Sequence, residues 1–280
     1  MISFSPRLRI KLNLTEKLRN YLAPLSPLAI ALSGGVDSST LTFFCRENGI
    51  EFTTYTFNGP HLTSHETEQV RLWVGQILVP HTFIQCNPLE DHRISSNPLN
   101  RCYYCKYNLY SRLKDTVKSD TTIIDGTNGS DLLKYRPGHA AIKELGVKTP
   151  FASVGFDRSM VQKLANDMQL DIPRFSRSCL FTRFEYGYQL DSELVQRLGK
   201  AEDYLLKAGI TGFRTRIYKN GHTLLHVDSS EKNSFLDVKP VFDSLMQKLD
   251  FYPYQLQFME FSRISGYFDQ NYANNTWTSL

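Results

Sequence analysis

The sequence predicts an α/β protein: a doubly wound parallel sheet followed by a smaller C-terminal α+β domain. Three observations carry this expectation. Apolar and β-branched runs alternate with helix-patterned segments between Leu28 and Leu170. The apolar run Leu28 to Leu32 passes through Ser33, Gly34 and Gly35 directly into a helix start, the connection of a strand–turn–helix unit. After Tyr188 the order becomes helix, hairpin, helix, strand, which sets residues 1–187 apart from residues 188–280.

Taken in order, residues 1–26 read as a lead-in with one short helix near Leu14 to Leu22. The first strand and turn then open into an apolar-periodic helix, Thr40 to Cys45, with Gly49 as its C-cap. Glu51 to Phe57 is rich in β-branched and aromatic residues and predicts a second strand. Ser64 to Leu78 is amphipathic, with Glu66 and Glu68 suiting the positive helix end. His81 to Cys86 predicts a third strand, and Arg101 to Ser119 a helix. Thr122 to Asp125 predicts a fourth strand, ending in the turn Gly126-Thr127-Asn128. Asp157 caps a helix to Leu170. Beyond the break, a helix from Asp191 to Ala208 precedes strands Phe213–Tyr218 and His222–Asp228, joined by Lys219-Asn220-Gly221. A helix from Val238 to Leu249 and a strand from Tyr254 to Phe261 complete the pattern.

Composition narrows the function classes. The 280 residues are 41% hydrophobic and 21% charged, ordinary for one large or two modest domains. The formal charge of +4, with no basic run, suits a phosphate-bearing small molecule and argues against a nucleic-acid partner. No apolar run approaches the ~20 residues that span a membrane. MISFSPRLRIKLNL lacks the apolar core of a signal peptide, and five cysteines are an odd number. A cytoplasmic protein is expected.

The strand–glycine–helix junction is a phosphate-binding geometry. Backbone N–H groups and the positive end of the helix converge there, and glycine lets oxygens approach the chain. Ser33, Gly34, Gly35, Val36, Asp37, Ser38 and Ser39 are the candidate cradle. Lacking GxxxxGK[ST], it has no lysine aimed at the outer phosphates. Asp37 is either a helix cap or a carboxylate that approaches a metal ion. Asp125, Gly126 and Asp131 flank a later strand-end turn, where a nucleotide or simple loop structure accounts for them equally. Arg214 and Arg216 alternate on one strand and share a face, so they can clamp a phosphate.

Cys102 and Cys105 form a CxxC at a helix start, and Cys179 stands in RSCLFTR. A redox pair, half a zinc site, cluster ligands and plain helix packing all remain open for the CxxC. Three thiolates suit a [4Fe–4S] cluster with one iron left open. Arg177 and Arg183 flank Cys179 and favour its thiolate, the form of a sulfur donor. Cys45 and Cys86 read as core residues.

SGGVDSS at 33–39 resembles the PP-loop of ATP pyrophosphatases, which cleave ATP between its α- and β-phosphates. With NPLNRCYYCK at 97–106, DGTNGSDLLKYRPGHAAIKELGVKTPF at 125–151, SCLFTRFEYG at 178–187 and GFRTR at 212–216, the chain resembles the ATP-dependent sacrificial sulfur transferases, the LarE family. The resemblance implies a homo-oligomeric enzyme that uses ATP and Mg²⁺ to adenylate a carboxylate on a pyridinium mononucleotide, releasing pyrophosphate. Sulfur, from sulfide or a cysteine, then makes a thiocarboxylate for the nickel-pincer nucleotide cofactor. It makes Cys102, Cys105 and Cys179 the ligands of a [4Fe–4S] cluster, with Cys179 also the catalytic thiol, and so implies an enzyme that turns over rather than one that consumes its own cysteine. It places Asp37 and Glu202 in catalysis, and Arg136, Arg214 and Arg216 on the substrate.

Departures gather around the implied substrate pocket: Ser153 for an acidic residue, PRFSR at 173–177, bulky Phe181 in CLFTR, and TLLHV at 223–227 without the usual arginine and glutamate. Two other readings fit the same loop. One is a PP-loop enzyme that thiolates tRNA with a cluster, opposed by the weak charge. The other is a nucleotide-binding protein without catalysis, opposed by the three matching cysteines.

Overall fold

The computed structural model describes residues 6–133, 137–172 and 178–269. Arg136 and the PRFSR stretch fall outside them. In chain order the first elements are α1 (Pro6–Leu22), β1 (Leu28–Ala31), α2 (Val36–Glu47), β2 (Phe52–Asn58), α3 (Ser64–Ile77) and β3 (His81–Gln85). There follow α4 (His92–Ser95), α5 (Arg101–Thr116), β4 (Thr122–Asp125), α6 (Gly129–Leu132), α7 (Pro137–Glu144), α8 (Pro150–Val154) and α9 (Arg158–Asp167). The last are α10 (Ser192–Lys207), β5 (Phe213–Ile217), β6 (Thr223–Asp228), α11 (Lys232–Lys248), β7 (Tyr254–Met259) and α12 (Phe261–Ile264).

The chain divides into two compact units. The described parts of residues 1–58, 69–86 and 102–176 form the first. Its sheet has the order β3-β2-β1-β4 with every pair parallel, as expected. β1 is central and buried along its whole length, as a strand covered on both faces must be. Leu28 and Ile30 point into a cluster with Leu18, Leu22, Leu41, Phe44 and Phe151. Ala29 and Ala31 point the other way, toward Tyr110, Leu113, Ile123 and Ile142. That period-2 split places helices on both sides of the sheet. Fully burying a side chain such as Leu41 contributes roughly 1.5–3 kcal/mol.

The second unit comprises the described parts of residues 59–68, 87–101 and 177–280. Its sheet runs β5-β6-β7. β5 and β6 form the expected hairpin, and β7 returns parallel to β6 after α11. Leu194, Val195, Leu198, Ala201 and Leu205 form the buried stripe of α10.

Several boundaries differ from expectation. α1 begins at Pro6, where proline's missing N–H costs a first turn nothing. α2 begins at Val36, so Ser38 and Ser39 lie inside its first turn. Thr63 caps α3: its hydroxyl accepts the Glu66 N–H, and the Glu66 carboxylate accepts the Thr63 N–H at 2.9 Å. α11 starts at Lys232 and carries Pro240 in its interior, because Phe235, Phe242 and Met246 are all buried at helical spacing. β7 stops at Met259, where the chain turns into α12 and the Phe261 N–H donates to Asp228. Among the described residues no helix is long and apolar enough to cross a membrane.

Candidate functional site

The nucleotide cradle lies in the first unit. Strand order reverses around β1, and the crevice between β1 and β4 at their C-terminal ends is where such sheets take ligands. Two loops meet there. After β1, the Ser33 N–H donates to Ser38 Oγ at 3.1 Å, and Ser38 Oγ donates to the Gly35 carbonyl at 3.2 Å. The Ser38 hydroxyl, expected to face a ligand, instead shapes the loop. Gly34 has φ +73°, and a Cβ there would stand 2.6 Å from a Val70 methyl. Both facts require glycine. Gly35 occupies the N-cap position, leaving the first-turn N–H groups of α2 without intrahelical acceptors. Asp37 therefore is not the helix cap. Ser39 Oγ is buried without a partner.

The second loop follows β4. A Cβ on Gly126 would stand 2.7 Å from the Ser38 nitrogen, so only glycine lets the two loops pack backbone to backbone. Asn128 Nδ2 donates to Asp37 Oδ1 at 3.3 Å across this junction. Asp125 accepts the Thr127 N–H at 3.0 Å and the Tyr110 hydroxyl at 3.1 Å, with Lys106 Nζ at 3.9 Å. Burial, reinforced by Asp125, holds the Tyr110 hydroxyl protonated well past its usual range. Asp131 closes a capping box with Asn128 and pairs with Arg158 at 3.2 Å. Asp125 and Asp131 thus set the loop's shape.

The second unit holds the other predicted residues. Arg214 and Arg216 share one face of β5, as their spacing demands, and both are buried. Glu202 is buried on α10 and bidentate with Arg183, at 2.6 and 2.9 Å, and also accepts the Thr215 N–H. Burial favours the neutral acid, but Arg183 outweighs it and holds Glu202 below the usual carboxylate range. Burial likewise opposes the Arg183 charge, and Glu202 restores it, with help from Glu66 and Cys179. Arg183 Nη1 further donates to Ser178 Oγ at 2.7 Å. Cys179, half-buried, precedes the turn that carries Arg183.

Burial and then Arg183 push Arg214 down to about 10, and burial and then the neighbouring guanidiniums push Arg216 down to about 9. The face is short of negative charge. A phosphate or carboxylate would supply it.

Cys102 and Cys105 lie one turn apart at the start of α5, both half-buried. Among the described residues no group of three or more His, Cys, Asp or Glu is arranged to hold a metal ion. The cluster expected on Cys102, Cys105 and Cys179 therefore finds no support in the arrangement of the described residues. Cys45 is core: burial pushes its thiol up to about 12.

Sequence reasoning placed Arg183 beside Cys179 but missed its lock on Glu202, and it assigned no role to Asn128. For Arg183 the signal was the arginine of the CL-x-x-R string. For Asn128 it was a strand-end turn followed by an acidic residue.

Comparison with known proteins gives three findings. Residues 10–97 match the asparagine synthase family. The chain is 34% identical over 211 residues to an uncharacterized protein of Synechocystis sp., spanning 73% of this chain and 78% of the relative. It is 27% identical over 207 residues to the pyridinium-3,5-bisthiocarboxylic acid mononucleotide synthase of Lactiplantibacillus plantarum, spanning 71% of this chain and 74% of that one.

Proposed function

The chain belongs to the LarE family of the PP-loop superfamily, and from that membership we propose that it adenylates a pyridinium mononucleotide carboxylate and replaces the adenylate by sulfur. The observation that carries this reading is the Ser33–Ser39 loop, placed at the reversal point of a parallel sheet with its helix N–H groups open toward a phosphate.

A carboxylate oxygen attacks the α-phosphorus of ATP, the bond to the β-phosphate breaks, and pyrophosphate leaves. Loop N–H groups hold the phosphates against the developing charge. Mg²⁺ requires one or two carboxylates plus phosphate oxygens, not a cage of three protein ligands. Asp37, half-exposed at the loop junction, fits that donor set, and the ion would offset the charge of the leaving pyrophosphate. Gly126 and Asn128 keep Asp37 in place. Arg214 and Arg216 bind the mononucleotide phosphate.

Sulfur then attacks the acyl carbon and AMP leaves. Cys179 is the thiol we assign to that step, because Arg183 beside it is locked in its charged form by Glu202. The bond from Cys179 Cβ to sulfur breaks as the α-proton is lost, leaving thiocarboxylate on the substrate and dehydroalanine in the chain.

The test is incubation with MgATP and a pyridinium-3-carboxylate mononucleotide. AMP, pyrophosphate and thiocarboxylate product are expected, with dehydroalanine at position 179 by peptide mass spectrometry. AMP formation with no sulfur in the product removes the transferase reading. Intact Cys179 after turnover moves the sulfur source elsewhere.

A further inference from the structure

Arg216 Nε and both ring nitrogens of His226, buried and without a hydrogen-bond partner among the described residues, lie on one face of the second unit's sheet. His226 on β6 stands opposite Arg214 in register, and Gln257 on β7 stands opposite His226. His226 is fully buried, and among the described residues neither ring nitrogen makes a hydrogen bond of ordinary geometry, the Gln257 side chain on β7 being a polar neighbour. Arg216, two residues from Arg214, is 3% exposed and its Nε is also without a partner. Its Nη1 and Nη2 donate to main-chain carbonyls, those of Thr182 at 3.2 Å and of Ile264. Leaving buried donors unmade is costly, and a single anion would satisfy both residues.

The place for that anion is covered by the segment 261–269. Tyr267 and Phe268 lie 5.5 and 5.6 Å from the Arg216 guanidinium, and the Phe261 ring lies 5.5 Å from that of Arg214. Tyr267 also stands edge-on to His226, with ring centres 4.8 Å apart. Ring faces and a carbonyl are weaker partners for a guanidinium than a phosphate is.

We propose that His226 is a specificity-determining residue for the acceptor: it donates a ring N–H to a phosphate monoester held by Arg214 and Arg216, in the place that segment 261–269 covers. This rests on the acceptor reading above. Two strands supply donors from different directions. That geometry matches three terminal phosphate oxygens better than the two in-plane oxygens of a carboxylate.

Burial, then Arg216, pushes His226 down to about 4, with Gln257 opposing, so the free protein holds it neutral at pH 7. The titratable groups facing it are Arg214 and Arg216 from β5 and Tyr267, with the Tyr218 hydroxyl bonded to Tyr267 at 3.0 Å. A phosphate dianion beside the ring favours the imidazolium, as it favours the charged form of Arg216.

The experiment is calorimetric titration of the full chain with inorganic phosphate and with the pyridinium-3-carboxylate mononucleotide at pH 7. His226→Leu is expected to weaken both about tenfold. His226→Gln, which keeps an N–H donor, is expected to stay within about threefold of the parent. ATP affinity serves as the fold control in each variant. Parent-like affinity in His226→Leu, or an equal loss in His226→Gln and His226→Leu, overturns the proposal. If Arg216→Gln meanwhile loses phosphate binding, the acceptor reading survives that failure. No binding of either probe to the parent protein overturns both.

Discussion

Arg183 and Glu202 are each no more than 4% exposed, and neither charge is tolerable there without the other. Glu202→Ala is expected to destabilise the protein by about 3–5 kcal/mol, because it strands a buried guanidinium. Thermal unfolding checks this. The pair also sets an acid limit. Glu202 is held below its ordinary value in the folded chain, so its contribution is complete above the ordinary carboxylate range and is lost as pH falls through the folded value. The unfolding midpoint should therefore drop below about pH 4.3, the unperturbed glutamate value, and this component of the drop should be absent in Glu202→Gln. Cys179→Ser separates chemistry from folding. It should keep AMP and pyrophosphate release with the acceptor and lose the thiocarboxylate, read by mass spectrometry.

Strands and helices of the first unit were legible because their signals are local. TIID is a strand from Thr122 to Asp125, as its β-branched run says, and Asp157 caps α9 by accepting the Met160 N–H. What escaped was decided by partners distant in sequence. Pro240 argues for a helix that begins near it, yet Phe235 packs with Phe242 and carries the helix further back. Asp37 reads as a cap in isolation; Gly35 takes that position because α2 starts earlier. The Ser33–Ser39 motif marked the cradle, but nothing in it announces that Gly126, far down the chain, closes against it. Gly126→Ala tests that junction. A Cβ meeting backbone atoms at 2.7 to 3.0 Å must push the loops apart, so ATP affinity should fall roughly five- to 150-fold, the equivalent of an overpacking cost of about 1–3 kcal/mol. Titration with a fluorescent ATP analogue would show it. Parent-like affinity would mean that the second loop plays no part in holding the nucleotide.

At the scale of the whole molecule, each unit carries one part of the proposed reaction: the parallel sheet takes the nucleotide, and the three-stranded sheet takes the acceptor. Variants should reflect this division. Arg214→Gln should raise the acceptor KM with little change in ATP affinity, whereas Gly34→Ala should do the reverse. Steady-state kinetics with pyrophosphate detection measures both. Iron addresses the remaining cysteines. Anaerobically purified protein that holds about four irons, lost in Cys102→Ala, would restore the cluster that the arrangement of described residues does not assemble. Protein without iron leaves Cys102 and Cys105 as residues of α5 with no metal to bind.

The order in which the chain is made gives the segment 261–269 another meaning. β5 and β6 are sequence neighbours and can pair as soon as both leave the ribosome, while β7 must wait for α11. The residues that cover Arg214 and Arg216 come later still. Until they arrive, the carbonyls of Phe213 and Thr182 can already hold one edge of each guanidinium, but no ring covers either, so the cationic face of the hairpin is among the last parts of the second unit to be closed off from water.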